Sequence, residues 1–230
     1  MEPHVFVHAS TQEDFVQAGV SYLVDAIAGA IDQNGQCTMG LSGGSTPRAV
    51  YEALGRSEEV DWSNVTVFLA DERYINVHDP DSNQFLLEST LFTGMKRRPR
   101  TVMPDTSLPL EECVQAYADA LENLLLDTPA DIVTLGMGSD GHISSLFPPL
   151  GKEAFGPAMA IHTQTEQFPI RDRISVTLPV IQDADNVLWM LKGSDKRRVW
   201  DTMMKSEEDV ARWPGKSVLE RGNSTVIGWW

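Results

Sequence analysis

Residues 131–148 read DIVTLGMGSDGHISSLFP. Ile132-Val133-Thr134-Leu135 is a short apolar run rich in β-branched side chains, as expected of a strand buried in a parallel sheet. Gly136, Gly138 and Gly141 follow and let the backbone turn sharply. They deliver Asp140 and His142 just past the strand's carboxyl end, where open α/β sheets hold their ligands. Imidazole is the side chain that titrates near neutrality, so a histidine there can take a proton from water and return it to a leaving group.

Gly136 to Gly141 also matches the G-x-G-x-x-G of dinucleotide-binding turns. That motif needs a full helix behind its glycines, whereas Ser144 to Phe147 leaves about one turn before Pro148-Pro149 breaks the pattern, so the match is read as accidental. A lone histidine is often a hydrogen-bonded structural residue. Asp140-Gly141-His142 at a glycine-rich strand end favours chemistry instead.

Upstream, Val5 to His8 reads as a strand, Ser10 or Thr11 as an N-cap, and Val16, Val20, Leu23, Ile27 and Ile31 as one helical face ending near Asn34-Gly35. Cys37 to Leu41 is the next strand. It runs into Ser42-Gly43-Gly44-Ser45-Thr46, with Pro47 placed to open a helix through Leu54. Small residues there let backbone N–H groups converge on an anion, and Ser42, Ser45 and Thr46 add hydroxyls. An ordinary capped βα turn fits these residues equally well. No Gly-Lys-Ser/Thr of a nucleoside-triphosphate loop is present, so any phosphorylated ligand is smaller than ATP.

Val65 to Leu69 is a third strand with the charged triplet Asp71-Glu72-Arg73 at its end, a surface turn or the edge of a site. Ser82 caps a helix expected to reach Phe92, and Lys96 to Arg100 is expected to be a solvated connection. Leu110, Val114, Ala118, Leu121 and Leu125 keep helical spacing toward a core. Strands are then expected over Ala158–Ile161, over Arg171–Leu178 with one exposed face from Arg173 to Thr177, and over Val187–Leu191. Gly193-Ser194-Asp195-Lys196 repeats the strand, turn and helix pattern. Glu207-Glu208-Asp209 reads as a solvated helix start, and Trp229-Trp230 as apolar area that packs on the sheet or on a second subunit.

At 230 residues, with 42% hydrophobic and 22% charged residues, the chain can bury a substantial core, and 1–230 is read as a single domain without repeats or linkers. No apolar run approaches ~18 residues and MEPHVFVHAS lacks the pattern of a signal peptide, which gives the expectation of a cytoplasmic protein with no membrane partner. Cys37 and Cys113 have neither the number nor the spacing of a disulfide framework or zinc site and are read as buried and reduced. Eighteen Lys+Arg against 33 Asp+Glu give a net charge of −15, which repels nucleic acid. It repels a phosphorylated ligand too, except where Arg, Lys and helix N-terminal amides cluster.

GSDGHISSLFP resembles the signature of 6-phosphogluconolactonases. LSGGSTPRAVYEAL at 41–54, ADERYINVHDPDSNQFLLESTLF at 70–92, RISVTLPVI at 173–181 and LKGSDKRRVW at 191–200 are similar to the same family in order and spacing. The family commonly has Thr and then Ala after the His, where this chain has Ile143 and Ser144; neither change removes a titratable group. The resemblance implies hydrolysis of 6-phosphoglucono-1,5-lactone in the pentose phosphate pathway. It implies phosphate binding by Ser42, Gly43, Gly44, Ser45 and Thr46, and makes Arg73 an anion-binding residue steadied by Asp71. It implies that Asn83 reaches the sugar hydroxyls, that Arg173 reaches the substrate from the far lip, with Arg171 a weaker neighbour, and that Lys196 adds an ammonium near the phosphate.

The alternation of strands and helices predicts an α/β fold: a mainly parallel, doubly wound, Rossmann-like sheet with helices on both faces. In the expected mechanism His142, beside Asp140, removes a proton from water, which attacks the lactone carbonyl. A backbone amide of the turn at Gly141 or a cation holds the oxyanion. Neither cofactor nor metal is expected, and monomer and homodimer are both compatible. Two rivals remain. Glucosamine-6-phosphate deaminases and related aldose–ketose isomerases share the loop and the Asp-Gly-His turn but carry a further carboxylate where this chain has Ser145-Leu146-Phe147-Pro148. A non-enzymatic sugar-phosphate sensor would use the same cradle without turnover.

Overall fold

The computed structural model describes residues 4–230. The chain runs β1 (His4–His8), α1 (Gln12–Asn34), β2 (Cys37–Leu41), α2 (Arg48–Gly55), β3 (Val65–Leu69), β4 (Asp71–Arg73), α3 (Asn83–Ser89) and β5 (Arg100–Val102). It continues α4 (Leu110–Leu124), β6 (Ile132–Leu135), β7 (Ala160–Gln164), β8 (Asp172–Val176), α5 (Leu178–Gln182), β9 (Asn186–Lys192), α6 (Ser194–Lys205), α7 (Pro214–Leu219) and β10 (Ser224–Trp229).

Seven strands form a parallel sheet in the order β1-β10-β9-β6-β2-β3-β5. Side chains alternate across it, so its inner strands feed two cores. Ile132, Leu188 and Met190 join α1 and α2 on one face, whereas Val133, Leu135, Val187, Trp189 and Leu191 join α4, α6 and α7 on the other. From β2 the chain winds outward through β3 to β5, then returns to β6 and winds the other way through β9 to β10. The winding reverses between β2 and β6, and the crevice at that switch point is where such sheets bind ligands. The loops beginning at Ser42 and Gly136 leave the two strands there.

A second, antiparallel sheet, β4-β8-β7, is additional to the expected architecture. Its central strand β8 corrects the expectation of an exposed face: Arg173, Ile174, Ser175 and Val176 are all buried. The polar residues of its alternation are taken up inside the fold: Ser175 Oγ accepts the Ser145 amide at 3.3 Å, Arg173 Nε donates to the Ile170 carbonyl, and Thr177 Oγ1 donates to the Ala158 carbonyl at 2.7 Å.

Local departures from the expected elements have physical causes. Thr11 is the α1 cap, in a reciprocal box in which Thr11 Oγ1 accepts the Asp14 amide and Asp14 accepts the Thr11 amide. The deepest stripe of α1 is Phe15, Gly19, Leu23, Ile27 and Ala30, turned from the expected one because Gly19 sits against Val50 of α2. By length and composition α1 could cross a membrane, with mean hydropathy 1.2, although Gln17, Asp25 and Asp32 interrupt its apolar runs. Here it packs on the sheet and turns Gln17, Ser21 and Asp25 outward. Pro47 stands at the N-cap of α2 rather than inside it.

Helix α3 stops at Ser89, short of Phe92: the Thr90 hydroxyl donates to the Leu86 carbonyl at 2.6 Å, and Leu91 and Phe92 are buried in the turn beyond. Arg100 lies in edge strand β5, while Lys96 and Arg98 form exposed pairs with Glu58 and Glu88. Strand β7 begins at Ala160, not Ala158. Glu207-Glu208-Asp209 is loop between α6 and α7, not a helix start. Trp229 packs against Phe15 and under Lys192, and Trp230 against Phe6 and His8, so both rings lie on elements of their own chain. Cys37 and Cys113 are buried free thiols; burial pushes the Cys113 thiol up to about 11.

Candidate active site

A cavity of about 260 Å³ opens at the switch point. Ser42, Gly43, Gly44, Ser45, Thr46, Asp71, Arg73, Asn83, His142, Arg173 and Lys196 all line it, which brings together residues that are up to 154 positions apart (42 to 196). Asp140 and Gly141, expected in the site, do not line the cavity; they precede His142 in the turn after β6. Arg171 does not line the cavity; it forms an exposed pair with Glu166.

The turn after β6 is tight. The Gly138 amide donates to the His142 carbonyl at 2.8 Å, and the Gly141 amide to the Gly138 carbonyl at 3.1 Å. Gly141 has φ +91 and lies against Trp213, where a Cβ would come within 2.4 Å of the ring. Across this turn Asp140 Oδ1 meets His142 Nδ1 at 2.5 Å and accepts the His142 amide at 3.2 Å. Burial pushes the Asp140 carboxyl up, but the bonds and charge of His142 outweigh it and hold it below the ordinary range. Asp140 therefore faces Nδ1 as a carboxylate and favours the tautomer that leaves Nε2 unprotonated. The imidazole is flanked by Phe147 and Phe168, with ring centroids 4.7 and 5.5 Å away. No described protein group bonds Nε2, the nitrogen left for substrate or water.

The cations come from three elements. Arg73 of β4 and Arg173 of β8 are direct cross-strand partners in the antiparallel pair. Like charges placed opposite each other are unfavourable unless an anion lies between or beside them. Burial lowers the Arg173 pKa first and the charge of Arg73 lowers it further, against Asp71 and Glu72. Arg173 Nε donates to the Ile170 carbonyl at 3.0 Å, and its guanidinium lies 5.9 Å from the Phe147 ring centroid. Arg73 Nη1 donates to the Asp81 carbonyl, whereas its buried Nε has no described partner. Lys196, in the first turn of α6, donates to the Met137 carbonyl; burial lowers its pKa, with Asp140 and Asp195 opposing.

Three expected contacts take different forms. Ser42 does not offer its hydroxyl to a ligand: it donates to the Thr134 carbonyl at 2.5 Å while its amide donates to Thr134 Oγ1 at 3.0 Å. Tyr51 completes this lock by donating to the Ser42 carbonyl at 2.9 Å, and beyond Ser42 the loop lines the cavity with Gly43, Gly44, Ser45 and Thr46. Asp71 does not steady Arg73. Its carboxylate accepts Ser145 Oγ at 2.6 Å and Asn83 Nδ2 at 3.2 Å. Asn83 is 1% exposed and spends its Nδ2 on Asp71, which leaves its buried Oδ1, without a described partner, as the one group it can offer the cavity.

Sequence reasoning missed Glu72, Ser144, Ser145 and Phe168. Glu72 is buried and accepts the amides of Arg73, Asn83 and Gln84 at 2.7 Å each and Ser82 Oγ at 2.9 Å. Burial raises its pKa against these four donors, and its carboxylate caps α3 while fixing the backbone of Arg73. A Glu ten residues before a Ser N-cap is a signal that local motifs do not carry. Ser144 lines the cavity with φ 48 and a buried, unpartnered hydroxyl.

A doubly wound sheet with an Asp-oriented imidazole and clustered cations at its switch point defines an α/β enzyme site for an anionic small molecule. Known proteins narrow the class. The family model described as "Glucosamine-6-phosphate isomerases/6-phosphogluconolactonase" matches residues 10–227. A Dictyostelium discoideum protein named "Probable 6-phosphogluconolactonase" is 37% identical, with 94% of each chain covered. A Synechocystis 6-phosphogluconolactonase is 30% identical over 96% of this chain and 93% of its own. The structure of a 6-phosphogluconolactonase from Plasmodium vivax superposes with a TM-score of 0.88 at 26% identity, covering 99% of this chain and 92% of that one. The chain belongs to the glucosamine-6-phosphate isomerase/6-phosphogluconolactonase family.

Proposed function

We propose that the chain is a 6-phosphogluconolactonase that converts 6-phospho-D-glucono-1,5-lactone and water to 6-phospho-D-gluconate, with His142 as general base. One observation carries the reading: an imidazole oriented by a carboxylate shares a single cavity with Arg73, Arg173 and Lys196 in a chain of net charge −15. The cations and the Gly43–Thr46 amides anchor the phosphate and set the lactone carbonyl near His142. Nε2 takes a proton from water, whose oxygen bonds to the carbonyl carbon. A turn amide or a cation holds the oxyanion; the bond from that carbon to the ring oxygen then breaks, and imidazolium protonates the departing oxygen.

The family also contains isomerases. Against that reading, the segment after His142 continues Ser145-Leu146-Phe147-Pro148, with no carboxylate where the deaminases carry one, and the carboxylate of Asp71 is committed to Ser145 and Asn83. The test is turnover of fresh 6-phosphogluconolactone, followed as 6-phosphogluconate formation, with glucosamine 6-phosphate in parallel. Turnover of the amino sugar alone would overturn the proposal.

Three expected results belong to this assay. Arg73→Ala removes a charge-assisted contact, and kcat/KM falls about ten- to a hundredfold, equivalent to roughly 1.5–3 kcal/mol. Unphosphorylated gluconolactone is a correspondingly poor substrate for the parent; equal rates on the two lactones would contradict phosphate anchoring. Activity also survives dialysis against a strong chelator, since no group of three or more His, Cys, Asp or Glu among the described residues has metal-binding geometry. Activity restored only by added metal would overturn this.

A further inference from the structure

We propose that Arg212 is a positioning residue for the Asp140–His142 pair, an inference that rests on the reading of His142 as general base. Arg212 lies in the loop between α6 and α7 and does not line the cavity, yet its Nη1 donates to the Asp140 carbonyl at 2.9 Å. Its guanidinium lies 3.8 Å from the centroid of Trp213, and Trp213 is the ring that Gly141 packs against. The two side chains thus form a wall behind the turn that carries the pair.

The wall is itself anchored. Asp209 Oδ1 accepts the Ala211 amide at 3.0 Å and the Arg212 amide at 3.3 Å, and the Asp209 carbonyl accepts the Trp213 amide at 2.9 Å. Glu208 accepts Trp213 Nε1 at 3.3 Å, and the Leu150 amide donates to the Ala211 carbonyl at 2.8 Å. Two of the three acids that read as a solvated helix start therefore build the loop that presents Arg212. Fixing the Asp140 carbonyl fixes the peptide plane between Asp140 and the left-handed Gly141, and with it the direction of the Asp140 carboxylate toward Nδ1. Arg212 acts through Asp140 and is not itself part of the cavity lining.

The test is a double-mutant cycle of Arg212→Ala with Asp140→Asn on 6-phosphogluconolactone, with inhibition by 6-phosphogluconate as the binding readout. Arg212→Ala lowers kcat about tenfold, while KM and the inhibition constant stay within about twofold. In the Asp140→Asn background the same change costs less than about twofold, because the group it orients is already impaired. Added guanidinium raises kcat of Arg212→Ala in the Asp140 background only. Losses that multiply, a shifted KM with kcat intact, or a lowered Tm with unchanged kcat would each overturn the proposal. Arg212→Lys, which keeps the stem over Trp213, carries the same cycle if the alanine variant does not fold. Absence of turnover by the parent would remove the hydrolase reading, whereas an active parent with an unaffected Arg212→Ala would remove this inference alone.

Discussion

His142→Asn lowers kcat about 10²–10⁴-fold, the range over which a positioned acid–base group contributes, while inhibition by 6-phosphogluconate changes by less than about twofold. The separation follows from the geometry. His142 stands on the turn after β6, whereas Arg73 and Arg173 reach the cavity from the antiparallel sheet and Lys196 from α6. Removing the imidazole therefore takes away the proposed proton acceptor and leaves the three cations in place. Against its burial, Asp140 is held below the ordinary carboxylate range by its bonds to His142, so it stays ionised and keeps its contact with Nδ1 as pH falls toward that range, and activity lost above it is not lost through Asp140. Spontaneous lactone hydrolysis also accelerates with pH and is subtracted at every point. A corrected kcat for His142→Asn within about threefold of the parent would make the histidine structural and end the mechanism.

What could be read in advance was whatever local pattern determines. Ile132–Leu135 could hardly be other than a buried strand, and short runs leading into glycine turns at 37–46 and 131–142 placed both loops at carboxyl ends ahead of any strand order. The reversal of winding that makes those loops neighbours depends on strand order, which no local pattern encodes. Arg73 and Arg173 illustrate the same limit. Each was visible as a basic residue near a strand end, but their register pairing, with its demand for an anion, exists only once β4 leaves the parallel sheet to join β8. Errors gathered where a polar residue had a buried partner. Ser42 and Asp71 looked like free arms and are walls, because Thr134 and Ser145 hold them from elements 92 and 74 residues away in sequence, and Asn83 spends its Nδ2 on Asp71. Helical faces drifted for a related reason. On α4, Tyr117 is 2% exposed because its hydroxyl donates to the Leu69 carbonyl at 2.5 Å, so Cys113, Tyr117 and Leu121 form the deepest stripe and leave Leu110, Val114 and Ala118 at its margin.

Gly138→Ala lowers kcat about 10²-fold or more without unfolding the protein, an effect that the dinucleotide-motif reading of the same glycine would not produce. A Cβ built on Gly138 lies 2.0 Å from His142 Nδ1, 2.1 Å from its Cε1 and 2.7 Å from Asp140 Oδ1, so the methyl would occupy the place where the carboxylate and imidazole meet. Real Cβ atoms do not approach that closely, and the atoms that yield are the ends of two side chains rather than backbone. The turn's own bonds, Gly138 N–H to the His142 carbonyl and Gly141 N–H to the Gly138 carbonyl, are backbone groups that the methyl leaves intact. Imidazole therefore swings off Asp140 while the loop and the cations stay in place, and a misplacement of about 1 Å in a catalytic group is worth on the order of 10² in rate. Gly29→Ala, in α1 with nothing within 4 Å of the added methyl, is the control and leaves both kcat and KM unchanged. Thermal unfolding of the two variants separates lost folding from lost geometry. A folded Gly138→Ala enzyme with kcat within about threefold of the parent would show that the 2.5 Å contact between Asp140 and His142 has no part in turnover.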